Sequence, residues 1–524
     1  MTARLIRWLL WGLAIGSTVL FVALGAWRLV YPLELDCIEG VMMDHIVRLS
    51  QGQPIFVEPS LSFIPLAYMP LFAALASLPA RFFGPHWWEP RLISLLSVLG
   101  LAGLILHVVK RETLSWTLGI AGSALYLTGF GITGGCYDVA RPDSLMLFLA
   151  FAGLALLRFT TGFWGALGSA LLLSLSFFAK QHAAWFVLAA VLHLGFNDRR
   201  RLPLFAVVAV LGCAGGYVLL ARWLGPWFRF FTLEVPAHWS QLSRVRVLNY
   251  VGHGLVGTLG FLTAPTLLSL GISSRPWRGP DGLWMWVGLG AAGTGFMATL
   301  DPSAYRHVLT PSLVTLAVLG PISLRRLAAE AVTARNARPE RALAALSAIL
   351  ALQFLPLAYT VHEQMPHRRA AEAVKTFVDD LRQQPGGVLV PYHGFYDWEA
   401  GKGSSLHIIA LDDIVRARGN RLLKSDPQFL ERMFAPLAAG PDRPAIVTDV
   451  PLSKSGALWA GLEGSYTLAG ELGWISDPLR PVTGNRFTPT YVYLPRGETG
   501  AADSSAVPSA STVSGAGSGA RSAP

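Results

Sequence analysis

Charge is scarce in this chain. Of 524 residues, 14% are Asp, Glu, Lys or Arg, against roughly 25% in a soluble globular domain. That deficit, with 52% hydrophobic residues and a mean hydropathy of +0.46, excludes an ordinary soluble enzyme. Cysteine is scarcer still. Cys37, Cys136 and Cys213 are the three present; with no C-x-x-C pair they exclude a disulfide scaffold and a thiolate zinc site. The first apolar run, about residues 8–26, lacks a small-x-small cleavage site after it. It is also too long for a signal-peptide core, so it reads as a retained helix. No internal repeat of the kind common in transporters is visible.

What the chain does have is apolar runs close to the ~20 residues needed to cross a ~30 Å hydrocarbon core. The expectation is an α-helical polytopic membrane protein with about eleven spans, near 8–29, 92–109, 114–132, 144–161, 164–179, 183–196, 203–223, 250–272, 283–299, 308–324 and 342–360. A formal charge of +10 and a pI near 9.7 need no nucleic-acid partner. Arg4 and Arg7, Lys110 and Arg111, Arg199–Arg201, Arg275 and Arg278, and Arg325 to Arg341 all fall on one side under this count. The positive-inside rule makes that side cytoplasmic and puts the N-terminus there.

The loops on the opposite side, near 30–91, 133–143, 224–249 and 300–307, then face outward. Val41–Ser50 reads as an amphipathic helix. Phe63–Phe83 is interrupted by Pro65, Pro70 and Pro79. Each proline inside a helix would cost ~3 kcal/mol, so this stretch reads as an interfacial helix rather than a span. Residues 1–362 form the expected membrane domain and 363–496 a small α/β extracytoplasmic domain. Its strands are expected at Gly387–Pro391, Ala445–Asp449 and Thr490–Leu494, with helices near 367–383 and 427–438. Residues 497–524, rich in Ser, Ala, Gly and Pro, read as a disordered tail.

Three carboxylates, Glu34, Asp36 and Glu39, crowd the loop after the first span. Clustered acids enclosed by apolar segments point to a general base, a metal or a cationic partner. A sugar hydroxyl is a poor nucleophile near neutral pH, so glycosyl transfer gains from a carboxylate beside it. A phosphate leaving group wants cations or a divalent ion such as Mg or Mn. Arg141 between Asp138 and Asp143, Lys180-Gln181-His182, and Arg306-His307 supply those cations on the same side. Each also has a plainer reading, as a local ion pair, a snorkelling lysine or an interfacial anchor. Cys37 and Cys136, both in these outward loops where a disulfide would persist, are positioned to staple the two loops together if bridged.

The order of motifs resembles a known family. E-L-D-x-x-E-G at 34–40 is followed by D-H-x-x-R-L-S-x-G-Q-P-I-F at 44–56 and R-L-I-S-L-L at 91–96. Then come A-R-P-D-S-L at 140–145, F-F-A-K-Q at 177–181 and A-Y-R-H at 304–307. Over residues 1 to about 330 the series is similar to the GT-C superfamily of polyprenyl-phosphate-sugar glycosyltransferases, in particular the bacterial relatives of protein mannosyltransferases and of the aminoarabinose transferase. The resemblance implies transfer of a sugar from a polyprenyl-phosphate carrier to a glycan or lipid acceptor at the outer face of a bacterial inner membrane, with inversion. It implies Asp36 as catalytic base and Glu39 as companion acid, the two also being the candidates for holding a divalent metal. It further implies Asp138 or Asp143 as the second-loop acid, and Arg141, Lys180 and Arg306 toward the donor phosphate, with Gln181 and His307 as their neighbours. The chain departs from the protein mannosyltransferases in having no adjacent acidic pair at residue 36, which argues against a protein acceptor. A transporter or flippase, and an inactive envelope-assembly protein keeping the fold, are the alternative classes.

Overall fold

A computed structural model describes residues 2–278, 282–304, 306–334 and 337–497. The expected tail from 498 onward, Tyr305 and Arg335 lie outside the described residues. Each of the eleven expected spans coincides with helix, but the lengths differ. Among the described residues six helices are long and apolar enough to cross a membrane: Arg4–Leu29, Trp88–Thr113, Gly162–Ala179, Leu202–Trp223, Arg306–Thr333 and Pro339–Leu357. A seventh is added if Arg244–Thr258 and Gly260–Gly271, bent by 91° at their junction, count as one. Trp116–Thr128 and Ala184–Asn197, at 13 and 14 residues, rise only about 20 Å at 1.5 Å per residue. Hydropathy alone does not separate such helices from full spans.

Apolar side chains left uncovered mark the lipid-facing surface. Along Leu202–Trp223, Val207, Val210, Leu211, Val218, Leu219 and Trp223 are exposed. A contiguous apolar patch of that kind is not tolerated on a soluble monomer, and here it belongs in lipid. The chain is an integral membrane protein.

Two buried arginines hold the loops around the site, Arg28 the one near residue 135 and Arg91 the one after the first helix. Arg28, at the end of that helix, donates to Gly135 O at 2.9 Å and Gln364 O at 3.2 Å. Arg91, from the next long helix, donates to Tyr31 O at 2.6 Å and also to Leu33 O. Backbone carbonyls without a regular ladder must find donors when buried, and these two guanidinium groups supply them. Asp36 then caps the helix Cys37–Ser50, accepting from Ile38 N at 3.0 Å from an extended backbone, as short polar side chains do at helix starts.

That helix is not the half-solvated element its pattern predicts. Asp44 and His45 are buried along with the apolar face, because the chain at Gly394 covers Asp44 and Phe63 and Leu66 cover His45. Gly40 and Gly394 make this possible. A Cβ on Gly40 would sit 2.6 Å from Gly394 N, so the two backbones touch only because both residues lack one. His45 is pinned at both ring nitrogens, by Val41 O at 2.7 Å and Leu66 N at 3.1 Å. Burial, with Asp397 nearby, pushes the Asp44 carboxyl well above the usual carboxylate range.

The proline-interrupted stretch forms the 13-residue helix Leu71–Phe83, entered at Pro70 and containing Pro79. Past residue 363 the helices Ala370–Gln383 and Phe429–Ala439 form as expected. Four strands make one sheet: β1 (Val388–Leu389), β2 (Ala445–Thr448), β3 (Tyr466–Glu471) and β4 (Tyr491–Pro495), in the order β1-β2-β4-β3. β1 runs parallel to β2, and the other pairs are antiparallel. β3 and the helix Ile408–Arg416 were not expected from the sequence.

Candidate active site

A cavity of about 520 Å³ opens where the acidic loop, two helix ends and the C-terminal region meet. Asp36, Arg141, Lys180, Gln181 and His307 all line it. Five of the nine expected site residues thus converge on one space.

Asp36 is fully buried as a residue, yet its carboxylate edges the cavity. Oδ1 is spent on the helix cap, while Oδ2 lies 3.2 Å from Arg141 Nη1. Arg141 is brought there by the turn before the helix Asp143–Phe159. Its Nε is 3.7 Å from Asp143 Oδ2, and its Nη2 is 3.5 Å from His307 Nε2. Lys180, the residue just past the helix Gly162–Ala179, donates to Asp143 Oδ1 at 2.7 Å. Asp143 therefore holds the two cations side by side rather than lining the cavity itself. Gln181 is anchored by its amide to Thr232 O at 2.9 Å. His182 is the next lining residue, and burial followed by the Lys180 charge lowers its imidazole pKa to about 4. The cavity edge thus sets Asp36 against a row of cations and neutral donors, with Asp301, Asp412 and Asp413 further along the lining, a pattern that supports proton removal on one side and anion stabilisation on the other.

The other expected residues lie elsewhere. Glu39 is fully buried and does not line the cavity. Its Oε1 accepts from Arg91 Nε at 2.9 Å and Ala140 N at 2.8 Å, and its Oε2 from Arg91 Nη2 at 2.7 Å and Leu35 N at 2.6 Å. Four donors on two oxygens leave little room for a metal ion or a substrate hydroxyl. Among the described residues no three His, Cys, Asp or Glu side chains converge as a metal site, so Asp36 and Glu39 do not assemble the donor set expected of them. Asp138 is buried beneath the first helix with Arg28, whose Nε lies 2.9 Å from its Oδ2. Arg306 is exposed and away from the cavity lining, although its neighbour His307 is part of it. No disulfide staples the two loops. Cys37 and Cys136 are both free, one on each side of Asp36, 3.7 Å from Oδ1 and Oδ2 respectively.

Two groups of residues went unread in the sequence. Arg91 sets the shape of the acidic loop and Arg28 holds the loop near residue 135, and a lone arginine at a helix end carries no signal beyond orientation. His393 bridges that loop to the C-terminal region: its Nδ1 meets Glu34 Oε1 and its Nε2 lies 3.0 Å from Asp449 Oδ2. Burial opposes charge on the imidazole, but Asp449 and Glu34 outweigh it and lift the pKa to about 10. Glu34 is thereby a structural anchor rather than an interfacial charge.

No family model matches the chain, and no curated protein matches it in sequence. Solved structures do. ArnT from Cupriavidus metallidurans in the apo state is 13% identical, with 92% of this chain and 98% of that one covered at a TM-score of 0.57. The same protein bound to undecaprenyl phosphate is 12% identical, over 91% and 98%, at 0.55. The Archaeoglobus fulgidus oligosaccharyltransferase in complex with Zn and sulfate is 14% identical, over 71% of this chain and 55% of that one, at 0.45; a likeness that loose carries no argument about the site. The ArnT structures match this chain over nearly its whole length, and it is the fold that the motif order anticipated: the chain has the fold of the ArnT structures.

Proposed function

We propose that the protein transfers a sugar from a polyprenyl-phosphate carrier to a hydroxyl group of a glycan or lipid at the outer face of a bacterial inner membrane. One observation carries the reading. Asp36 and the cation pair Arg141–Lys180 border the same cavity of about 520 Å³ at one end of the helix bundle, within the ~300–1,000 Å³ range of small-molecule sites. A polyprenyl phosphate offers a lipid tail to the exposed apolar helices and an anion to the cations. The ArnT structure bound to undecaprenyl phosphate supports that donor class.

In this scheme Oδ2 of Asp36 takes the proton of the acceptor hydroxyl as its oxygen attacks the anomeric carbon. The bond from that carbon to the phosphate oxygen breaks on the opposite face, giving inversion. Charge gathering on the leaving phosphate is met by Lys180 and Arg141, preorganised by Asp143 so that they need no rearrangement as it develops. The arginine clusters support an outward cavity and a cytoplasmic N-terminus through the positive-inside rule, with residues 363–496 as an extracytoplasmic domain in this reading.

The test is purified full-length protein incubated with a panel of undecaprenyl-phosphate sugars and crude envelope lipid and glycan acceptors, with liberated undecaprenyl phosphate measured. Acceptor-dependent release with at least one sugar is expected. No release from any member of the panel would refute the reading.

A further inference from the structure

The Asp36 carboxylate is roofed by a turn from near the far end of the described chain. Thr483 N donates to Leu35 O at 2.9 Å. The Thr483 hydroxyl donates to Gly134 O and lies 3.3 Å from Cys136 Sγ. One threonine, itself 1% exposed, thus ties together the loop that presents Asp36 and the loop that leads to Arg141. Gly484 follows at φ +67°, where L side chains are rarely found. A Cβ there would fall 2.7, 2.8 and 2.9 Å from Oδ1, Cγ and Oδ2 of Asp36. Only a bare backbone fits against that carboxylate.

We propose that Thr483 and Gly484 are positioning residues for Asp36. They fix the carboxylate so that Oδ1 stays on the helix cap and Oδ2 faces Arg141 and the cavity, and they keep bulk water off it. A carboxylate left free to rotate could present either oxygen, and misplacement of a reacting group by about 1 Å can cost on the order of 100-fold in rate. The proposal rests on Asp36 being the base. It also bears on the two thiols: Cys37 and Cys136 flank the carboxylate at 3.7 Å and burial raises the pKa of both, that of Cys136 to about 12, so both are expected to label slowly while the turn is in place.

The thiols provide a readout that needs no substrate. In a Cys213→Ser background, full-length protein in detergent is treated with N-ethylmaleimide, and labelling of Cys37 and Cys136 is followed by mass spectrometry. Slow labelling is expected with Thr483 intact. Thr483→Val, which keeps the shape and removes the hydroxyl, and Gly484→Ala are each expected to raise the rate at least about tenfold, and Thr483→Ser to restore it. With a sugar donor that is turned over, the same two variants lower kcat at least about tenfold while KM for the donor moves less than about threefold. Labelling of both variants at the parent rate would overturn the proposal. So would rapid amide hydrogen exchange at Thr483 in the unmutated protein, a measurement that stands even if a variant fails to fold. Absence of sugar transfer by the unmutated protein would count against the transferase reading, while labelling and exchange would still decide the role of the turn.

Discussion

Arg91 grips Glu39 through both carboxylate oxygens, with Nε 2.9 Å from Oε1 and Nη2 2.7 Å from Oε2. Both side chains are at most 1% exposed. A paired geometry of this kind is strong and directional, and its place is behind the acidic loop rather than in the cavity. The acid three residues after Asp36 thus organises the loop instead of sharing its chemistry.

Removing Glu39 should therefore cost stability before it costs chemistry. Glu39→Ala leaves a buried guanidinium uncompensated, a loss of ~3–5 kcal/mol. The expected result is a clear drop in melting temperature in detergent, with undecaprenyl phosphate still bound by the fraction that remains folded. Unchanged melting with sugar transfer abolished would instead make Glu39 a reacting acid.

Two cations expected at the phosphate differ in their placement. Lys180 lines the cavity and Arg306 does not. A charge-assisted hydrogen bond is worth ~1.5–3 kcal/mol. Lys180→Ala should therefore weaken undecaprenyl phosphate binding by roughly 10- to 100-fold, and Arg306→Ala should leave it within about threefold. Isothermal titration or tryptophan quenching reads both. Equal losses at the two positions would mean the cavity is not where the phosphate sits.

His393 gives a pH dependence with a definite sign. Its pKa is raised from 6.5 to about 10 by Asp449 and Glu34. The folded state holds the proton more tightly than the unfolded chain does, so the stability it contributes is fully present below about pH 6.5 and is lost as pH rises through about 10. The melting-temperature gap between the unmutated protein and His393→Gln should be wide near neutral pH and should narrow above about pH 10. A gap of constant width would show that the imidazole is not charged in the folded protein.

Much of the helix bundle could be read in advance because lipid imposes long apolar runs, and no later contact overrides that demand. The span count is where the rule weakens. Trp116–Thr128 is apolar because protein surrounds most of it, while Ala184–Asn197 leaves Leu188 and Phe196 exposed, and composition does not distinguish protein from lipid as the apolar neighbour. Asp36, Arg141 and Lys180 were legible as rare charges next to apolar helices. Thr483 and Gly484 were not: they lie 347 residues or more from Cys136 and Gly134, and a Thr-Gly pair looks like any turn. β3 was missed for a related reason. Only Tyr466 of its six residues is buried, so it lacks the alternation that marks a half-buried strand.

Asp36→Asn is the most direct measurement. The amide keeps the shape and can still accept the helix-cap hydrogen bond from Ile38, but it is no longer a base. With a donor that the unmutated protein uses, the expected result is a fall in kcat of ~10²- to 10⁴-fold, the usual contribution of a general base, at near-normal undecaprenyl phosphate affinity and melting temperature. Transfer at the unmutated rate would contradict the assignment of Asp36 as the base.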